Sequence, residues 1–404
     1  MSNQNQNDTI MDEAAEQNNE RTLEQTNAWQ KQSPNNASSR KLRSDEYTVG
    51  IVTALSKELK AVIAVLDERH GQPSNFRKSD MDTNNYIWGR IGEHNIVLVS
   101  CPMKMTGKVS AATVALSMVH TIPSIRFCLM VGIGGGVPYP EKAPDEQVRL
   151  GDVVVSVPSG TTGGVVQYDL GKVETKNGES YFRRTGQLDN PPRSLLAVLN
   201  TFEAEKDERR FQRHIESATA NVDSRTKTSF AYPGAANDRL FPSSYAHQSN
   251  SSWYSTLRVW PARRTPQLEI LPTDCLHCDP RHTINRLRRD SPNIPRIHYG
   301  LIASGDRVIK DARSRDKIVS QLQEENVGEC LCFEMEAAGL MNSFPCLVIR
   351  GISDYADSHK NDRWHDYATV VAATVAKEFL SLVPASEVES ERKASEIIEE
   401  IRQG

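Results

Sequence analysis

The chain has 404 residues, a formal net charge of -4 and a pI near 6.2, a balance that argues against a general nucleic-acid binder, whose footprint is a basic patch. No apolar run approaches the roughly 18 residues that span a bilayer, and the Asn/Gln/Glu-rich start lacks the apolar centre of a signal peptide. A cytoplasmic protein is therefore expected, with neither a membrane nor a nucleic acid as partner.

In chain order, residues 1–46 are polar, poor in aromatics and rich in Asn, Gln, Ser and Glu, which predicts a disordered tail. From Tyr47 the texture changes to short β-branched runs alternating with helical patterns, at 47–55, 95–101, 125–132, 151–157, 297–303 and 345–351. That alternation predicts an α/β fold with a mainly parallel sheet flanked by helices. In the segment GIVTALSKEL, Ser56 is placed to cap a helix, with Glu58 in its first turn, where the helix dipole favours the ionised form. Cys101, Cys128, Cys330, Cys332 and Cys346 sit in strand-like apolar runs and read as reduced core thiols. Between about 205 and 295 the pattern dissolves into Arg-rich, Ser-rich and Pro-punctuated sequence, an insertion expected to hold little regular structure. Residues 385–404 are charged, with Ile397, Ile398 and Ile401 as an apolar edge, and predict a C-terminal helix or linker. The main domain is accordingly set at 47–384.

The stretch FEMEAAGLMNSFPCLVIRGISDYAD carries the most chemistry. Its apolar run CLVIRGI predicts a buried strand, so Asp354 should project from a strand end, where clefts form. Glu334 and Glu336 alternate with apolar Phe333 and Met335, and carboxylates in a segment that wants burial need partners or a task. One alternative is structural: Glu334 or Glu336 pairs with Arg350, and Asp354 caps the following helix.

Glu334-Met335-Glu336 and Arg350-Gly-Ile-Ser353-Asp354-Tyr-Ala-Asp357 resemble the ribose-binding and general-acid motifs of the purine and uridine phosphorylase superfamily, especially its methylthioadenosine/S-adenosylhomocysteine nucleosidase branch. VGIVTALSKELKAV, TGKVSAA, VGIGGG, GDVVVS and GLIASGD fall in the order of that family's other segments. The long middle segment and VVQYDLGK look most like versions of the domain in fungal multidomain proteins. The resemblance implies a three-layer nucleoside-phosphorylase-like fold with a central mixed, mainly parallel sheet. It also implies a small-molecule nucleoside or nucleotide as ligand, no cofactor, and a homo-oligomer, with a dimer favoured.

Cleaving an N-ribosidic bond makes the sugar cationic while negative charge builds on the base, so the site needs an acid, anionic sugar contacts and a nucleophile. The resemblance assigns Asp354 as general acid near the purine N7, with Ser353 and Arg350 supporting it. It assigns Glu336 to the ribose hydroxyls, with Met335 packed beneath the sugar and Glu334 beside it. Gly132 and Gly134 belong to a glycine-rich turn in this pattern. Glu58 matches the glutamate that activates water in nucleosidases, where phosphorylases place a cationic phosphate contact. A carboxylate about 4 Å from a phosphate charge costs about 4 kcal/mol at an effective dielectric near 20, which favours water. Phosphorolysis and a non-catalytic nucleotide-binding module are the alternatives.

Two departures from the family pattern stand out. Ile133 occupies the position of a small hydroxyl residue, and the base-stacking aromatic after SGD is replaced, leaving Val308, Ile309 and Trp364 as candidate base contacts. Arg307, Lys310, Arg313 and Arg315 form a basic cluster, joined by Lys104 and Lys108. A solvated helix face is the default for such a cluster. The sharper alternative makes Lys108 and Arg307 phosphate contacts, with AMP or ATP as substrate. Cys275-Leu-His277-Cys278 with His282 offers three or four metal ligands but lacks a second half of fixed spacing, so a loop with reduced thiols is expected and no metal is assigned.

Overall fold

A computed structural model describes residues 41–176, 178–224, 229–248 and 275–403. The tail 1–40 and the middle of the insertion, 249–274, lie outside the described residues. Among the described residues, twelve strands run in chain order: β1 Val49–Thr53, β2 Glu68–His70, β3 Ile87–Ile91, β4 His94–Ser100, β5 Phe127–Gly136, β6 Val153–Ser156, β7 Val165–Gln167, β8 Gly171–Lys176, β9 Glu179–Arg184, β10 Ile297–Ser304, β11 Cys330–Glu334 and β12 Cys346–Asp354. The α-helices are α1 Ser56–Val65, α2 Lys108–Thr121, α3 Arg193–Ala204, α4 Glu208–Asp223, α5 Ala312–Glu324, α6 His365–Leu380, α7 Ala385–Ser390 and α8 Ala394–Gln403.

The main sheet is mixed and ordered β11-β10-β6-β12-β5-β1-β4-β3-β2, with β7 added beside β10. Strands β1 and β12 are buried at every position, which is why they read in sequence as continuous apolar runs. Strand β11 pairs in parallel with β10 and also antiparallel with β5, at Cys332 opposite Gly136 and Phe333 opposite Gly135. Strands β5, β12, β6, β10 and β11 therefore close on themselves, while β1, β4, β3 and β2 extend the sheet outward. Helices complete a three-layer α/β fold. Helix α6 is buried along nearly its whole length and packs on β12, β5 and α1. No single helix among the described residues is long and apolar enough to cross a membrane.

The stretch expected to hold little regular structure contains α4. Its buried residues Phe211, Ile215, Ala218 and Val222 repeat at helical spacing and pack against α1 and α6, and Asp207 caps it by accepting the N–H groups of Arg209 and Arg210. The arginines of its outer face mask that stripe in the sequence. The rest of the described insertion is irregular and anchored by ions. Arg289 makes two bonds to Asp152, at 2.8 and 2.7 Å, with both side chains buried. Near the C-terminus the chain packs on the body: the Ala394 N–H donates to the Ile125 carbonyl at 2.9 Å, and Ala394 and Ile398 are buried.

Candidate active site

The ends of β1, β5, β10, β11 and β12 converge on one cavity of about 350 Å³. Parallel strands place ligand sites at their carboxyl ends, because the loops that leave them diverge there. The lining includes Glu58, Ile133, Gly134, Val308, Ile309, Met335, Glu336 and Asp354.

One wall is a buried acidic cluster around a single cation. Arg350, wholly buried in β12, ion-pairs with Glu334 and lies 3.5 Å from Glu336 Oε2. Glu334 also accepts the backbone N–H groups of Glu336 at 3.0 Å and Ala337 at 2.9 Å, so its carboxylate folds the turn after β11. Glu336 accepts the Gly107 N–H at 3.2 Å. Burial pushes its carboxyl up to about 7, with Arg350 opposing and the Glu334 and Glu58 charges adding to the rise. Glu58 accepts N–H groups from Ala54 and Leu55, both at 2.8 Å, and from Ile133 at 2.9 Å. Burial raises its carboxyl as well, against the pull of Arg350 and the three backbone donors. Three buried carboxylates facing one guanidinium cannot all ionise cheaply.

Asp354 lines the same cavity. Its carboxylate accepts hydrogen bonds from Ser353 Oγ at 2.9 Å, from the Ala356 N–H at 2.9 Å and from Lys360 Nζ at 2.7 Å. Ala356 holds a left-handed backbone, φ 50°, to bring its N–H onto the acid. Strain at a non-glycine residue beside a cavity marks a geometry the surroundings over-determine.

No protein-family model matches the chain. A nucleotide-binding leucine-rich repeat (NLR)-like protein of Hyaloscypha variabilis is 38% identical over 343 residues, 85% of this chain and 30% of that protein. The ATP nucleosidase Cap17 of Escherichia coli is 34% identical over 84 residues, 21% of this chain and 17% of that enzyme. The chain thus spans less than a third of the length of either relative. Among solved structures, the 5'-methylthioadenosine/S-adenosylhomocysteine nucleosidase of S. pneumoniae aligns with 83% of this chain and 100% of its own, at 18% identity and a TM-score of 0.45.

Several assignments carried over from the superfamily change in the structure. Val131–Gly136 is the end of strand β5 and not a turn. Its glycines admit neighbours: a Cβ on Gly132 would meet the Arg350 guanidinium and come 2.5 Å from Glu58 Oε1. Arg350 serves the glutamates and leaves Asp354 to Lys360. Leu55, not Ser56, holds the cap position of α1. For Glu58, burial outweighs the expected help from the helix dipole.

Trp364 faces away from the site. It is 1% exposed and lines, with Tyr232 and Tyr367, a separate cavity beside Arg149 and Arg289. Its neighbour His365 lines the active-site cavity instead, because successive helical residues point about 100° apart. Lys108 is held by Asp169 at 2.7 Å and Asp306 at 3.2 Å and does not line the cavity. Arg307 does line it, its guanidinium 5.6 Å over the Tyr168 ring, together with Lys310. Lys360 and His365 escaped the sequence reading because each is a lone residue in a polar loop or at a helix start. Only the proximity of Asp354 gives Lys360 meaning.

Proposed function

We propose that this cavity cleaves the N-ribosidic bond of a purine nucleoside or nucleotide with water as nucleophile. The single observation that carries the proposal is that Asp354, Glu58 and Glu336 line one cavity, with Arg350 buried behind the glutamates. Such a site offers an anionic surface to a developing ribosyl cation and a carboxyl group to the departing base. Glu336, accepting from vicinal hydroxyls, would stabilise the cation, and Met335 would pack under the sugar. Glu58 Oε1 carries one backbone donor, which leaves it acceptor capacity for the attacking water.

Asp354 would hand a proton to a ring nitrogen of the base, and Lys360 Nζ, 2.7 Å away, would balance the carboxylate left behind. Val308 and Ile309 would flank the base. Arg307 and Lys310 have no ion pair among the described residues and edge the cavity, which favours a substrate with 5'-phosphates, such as AMP or ATP, over a bare nucleoside. The nucleosidase relatives support the reaction class, and a cytoplasmic homodimer is the setting we propose.

The test is base release, followed by chromatography, from adenosine, AMP and ATP in buffer with and without inorganic phosphate. Free base in phosphate-free buffer, lost in Asp354→Asn and Glu58→Ala, is the expected result. Base appearing only with phosphate makes the enzyme a phosphorylase, and base release in phosphate-free buffer that survives Glu58→Ala removes Glu58 from the role of activating water. Tight nucleotide binding without base release makes it a binding module.

A further inference from the structure

The insertion brings together three side chains that the active site does not use. His247, Cys275 and Cys278 offer ligand atoms that all lie within 4.8 Å of one another, with both cysteines buried. The Cys278 sulfur stands 3.3 Å from His247 Nδ1. Ligands at the usual zinc distances, roughly 2.3 Å to sulfur and 2.0 Å to nitrogen, stand about 3.6 Å apart in a tetrahedral site. The observed spacing is within a small adjustment of that figure.

A second observation concerns His359. Its side chain is 5% exposed, its Nε2 has no hydrogen-bond partner among the described residues, and its ring lies 5.7 Å from the His247 ring, edge to face. A buried imidazole nitrogen without a partner needs a physical reason, and a fourth ligand position supplies one. His282 takes no part in the cluster; it stacks on Tyr245 with centroids 4.5 Å apart.

We propose that His247, Cys275 and Cys278 bind a zinc-class divalent cation, with the fourth position open to water or, after movement of its ring, to His359. Binding would release the thiol protons, since only thiolates ligate. The site would clasp the insertion to the loop that follows β12. Phe241 already stacks on His359 at 4.1 Å, the His247 N–H donates to Ser358 Oγ at 3.0 Å, and Cys275 Sγ approaches the His359 carbonyl at 3.7 Å. That loop leaves β12 directly after Asp354 and carries Lys360, so the ion is a positioning element for the acid and its lysine. Metal binding itself is independent of the reaction proposed above.

The experiment measures metal by mass spectrometry in the full chain purified without chelator, then titrates reduced, metal-stripped protein with cobalt(II). About one zinc per chain is expected, as are the thiolate charge-transfer and d–d bands of a tetrahedral cobalt site. Cys275→Ser and Cys278→Ser should each weaken cobalt binding at least tenfold and diminish the charge-transfer band, while the far-UV circular dichroism remains that of the wild type. Wild-type protein that holds less than about a tenth of a zinc per chain and develops no thiolate band overturns the proposal. So does a Cys275–Cys278 disulfide found by peptide mapping of freshly purified protein. Because the decisive signals come from the wild-type chain, a variant that fails to fold does not rescue the idea.

Discussion

Replacing Glu336 with glutamine should make the protein more stable than wild type in alkaline buffer and less favoured in acid. The folded Glu336 carboxyl is pushed up to about 7 from an ordinary 4.5, first by burial and then by the Glu334 and Glu58 charges, with Arg350 opposing. A raised folded value means that the native state binds the proton more tightly. The resulting stability is fully present below about pH 4.5 and is lost as the pH rises through about 7. Each tenfold in proton affinity is worth about 1.4 kcal/mol, so the whole effect is about 3 kcal/mol, of which roughly 2.5 falls between pH 5 and pH 8.5. Glutamine keeps the shape and an acceptor for the Gly107 N–H but does not titrate. Urea unfolding of both proteins at those two pH values isolates Glu336 and the carboxylates coupled to it, because titrating groups that do not interact with it cancel in the difference. A variant-minus-wild-type difference that moves by less than about 0.5 kcal/mol would refute the picture of Glu336 as a carboxyl crowded against its neighbours.

Lys360→Met removes the cation beside Asp354 and should lower kcat by about 10- to 100-fold while leaving KM nearly unchanged, as steady-state base release will show. Gly132→Ala puts a methyl group against Arg350 and Glu58 and should cost about 1–3 kcal/mol in urea unfolding, with loss of turnover. Arg289→Ala strands the buried Asp152 carboxylate and should cost about 3 kcal/mol or more, whereas a surface control such as Arg281→Ala should cost less than about 0.5 kcal/mol in the same assay.

The sheet was legible where strands are buried on both faces. Runs such as VGIVT and CLVIRGI admit few other conformations, and the residues between them had to be helices or crossovers. Hairpin β8–β9, by contrast, exposes Val173 and Tyr181 and has no apolar alternation to announce it. Helix α4 hid behind the arginines of its solvent face. At the site, Glu58, Glu336 and Asp354 were named through the motifs that resemble the superfamily's, with the strand-end and first-turn positions of Asp354 and Glu58 in agreement. The pairing of Arg350 with the glutamates was one of the alternatives the sequence offered, and it is the one observed, whereas Lys360 beside Asp354 was not legible, because that pairing depends on where a loop returns. Arg350 was drawn to the glutamates by burial within β12, and Lys360 reached Asp354 through the left-handed turn at Ala356. Trp364, expected in the base pocket, turns to another cavity while the next residue, His365, lines the site, a difference of helix phase that a single residue step reverses.

Strand β12 lies between β5 and β6 in the sheet yet comes last among the strands in sequence. During synthesis, everything through β11 emerges with the edges of β5 and β6 unpaired, and long-range pairing of this kind is slow to form and prone to aggregation while it waits. Insertion of β12 fills that gap and in the same event delivers Arg350, Ser353 and Asp354 to the cavity. The protein should therefore acquire its central hydrogen-bond ladder and its catalytic competence together, late and cooperatively, and a chain halted before Cys346 should depend on chaperones to stay soluble.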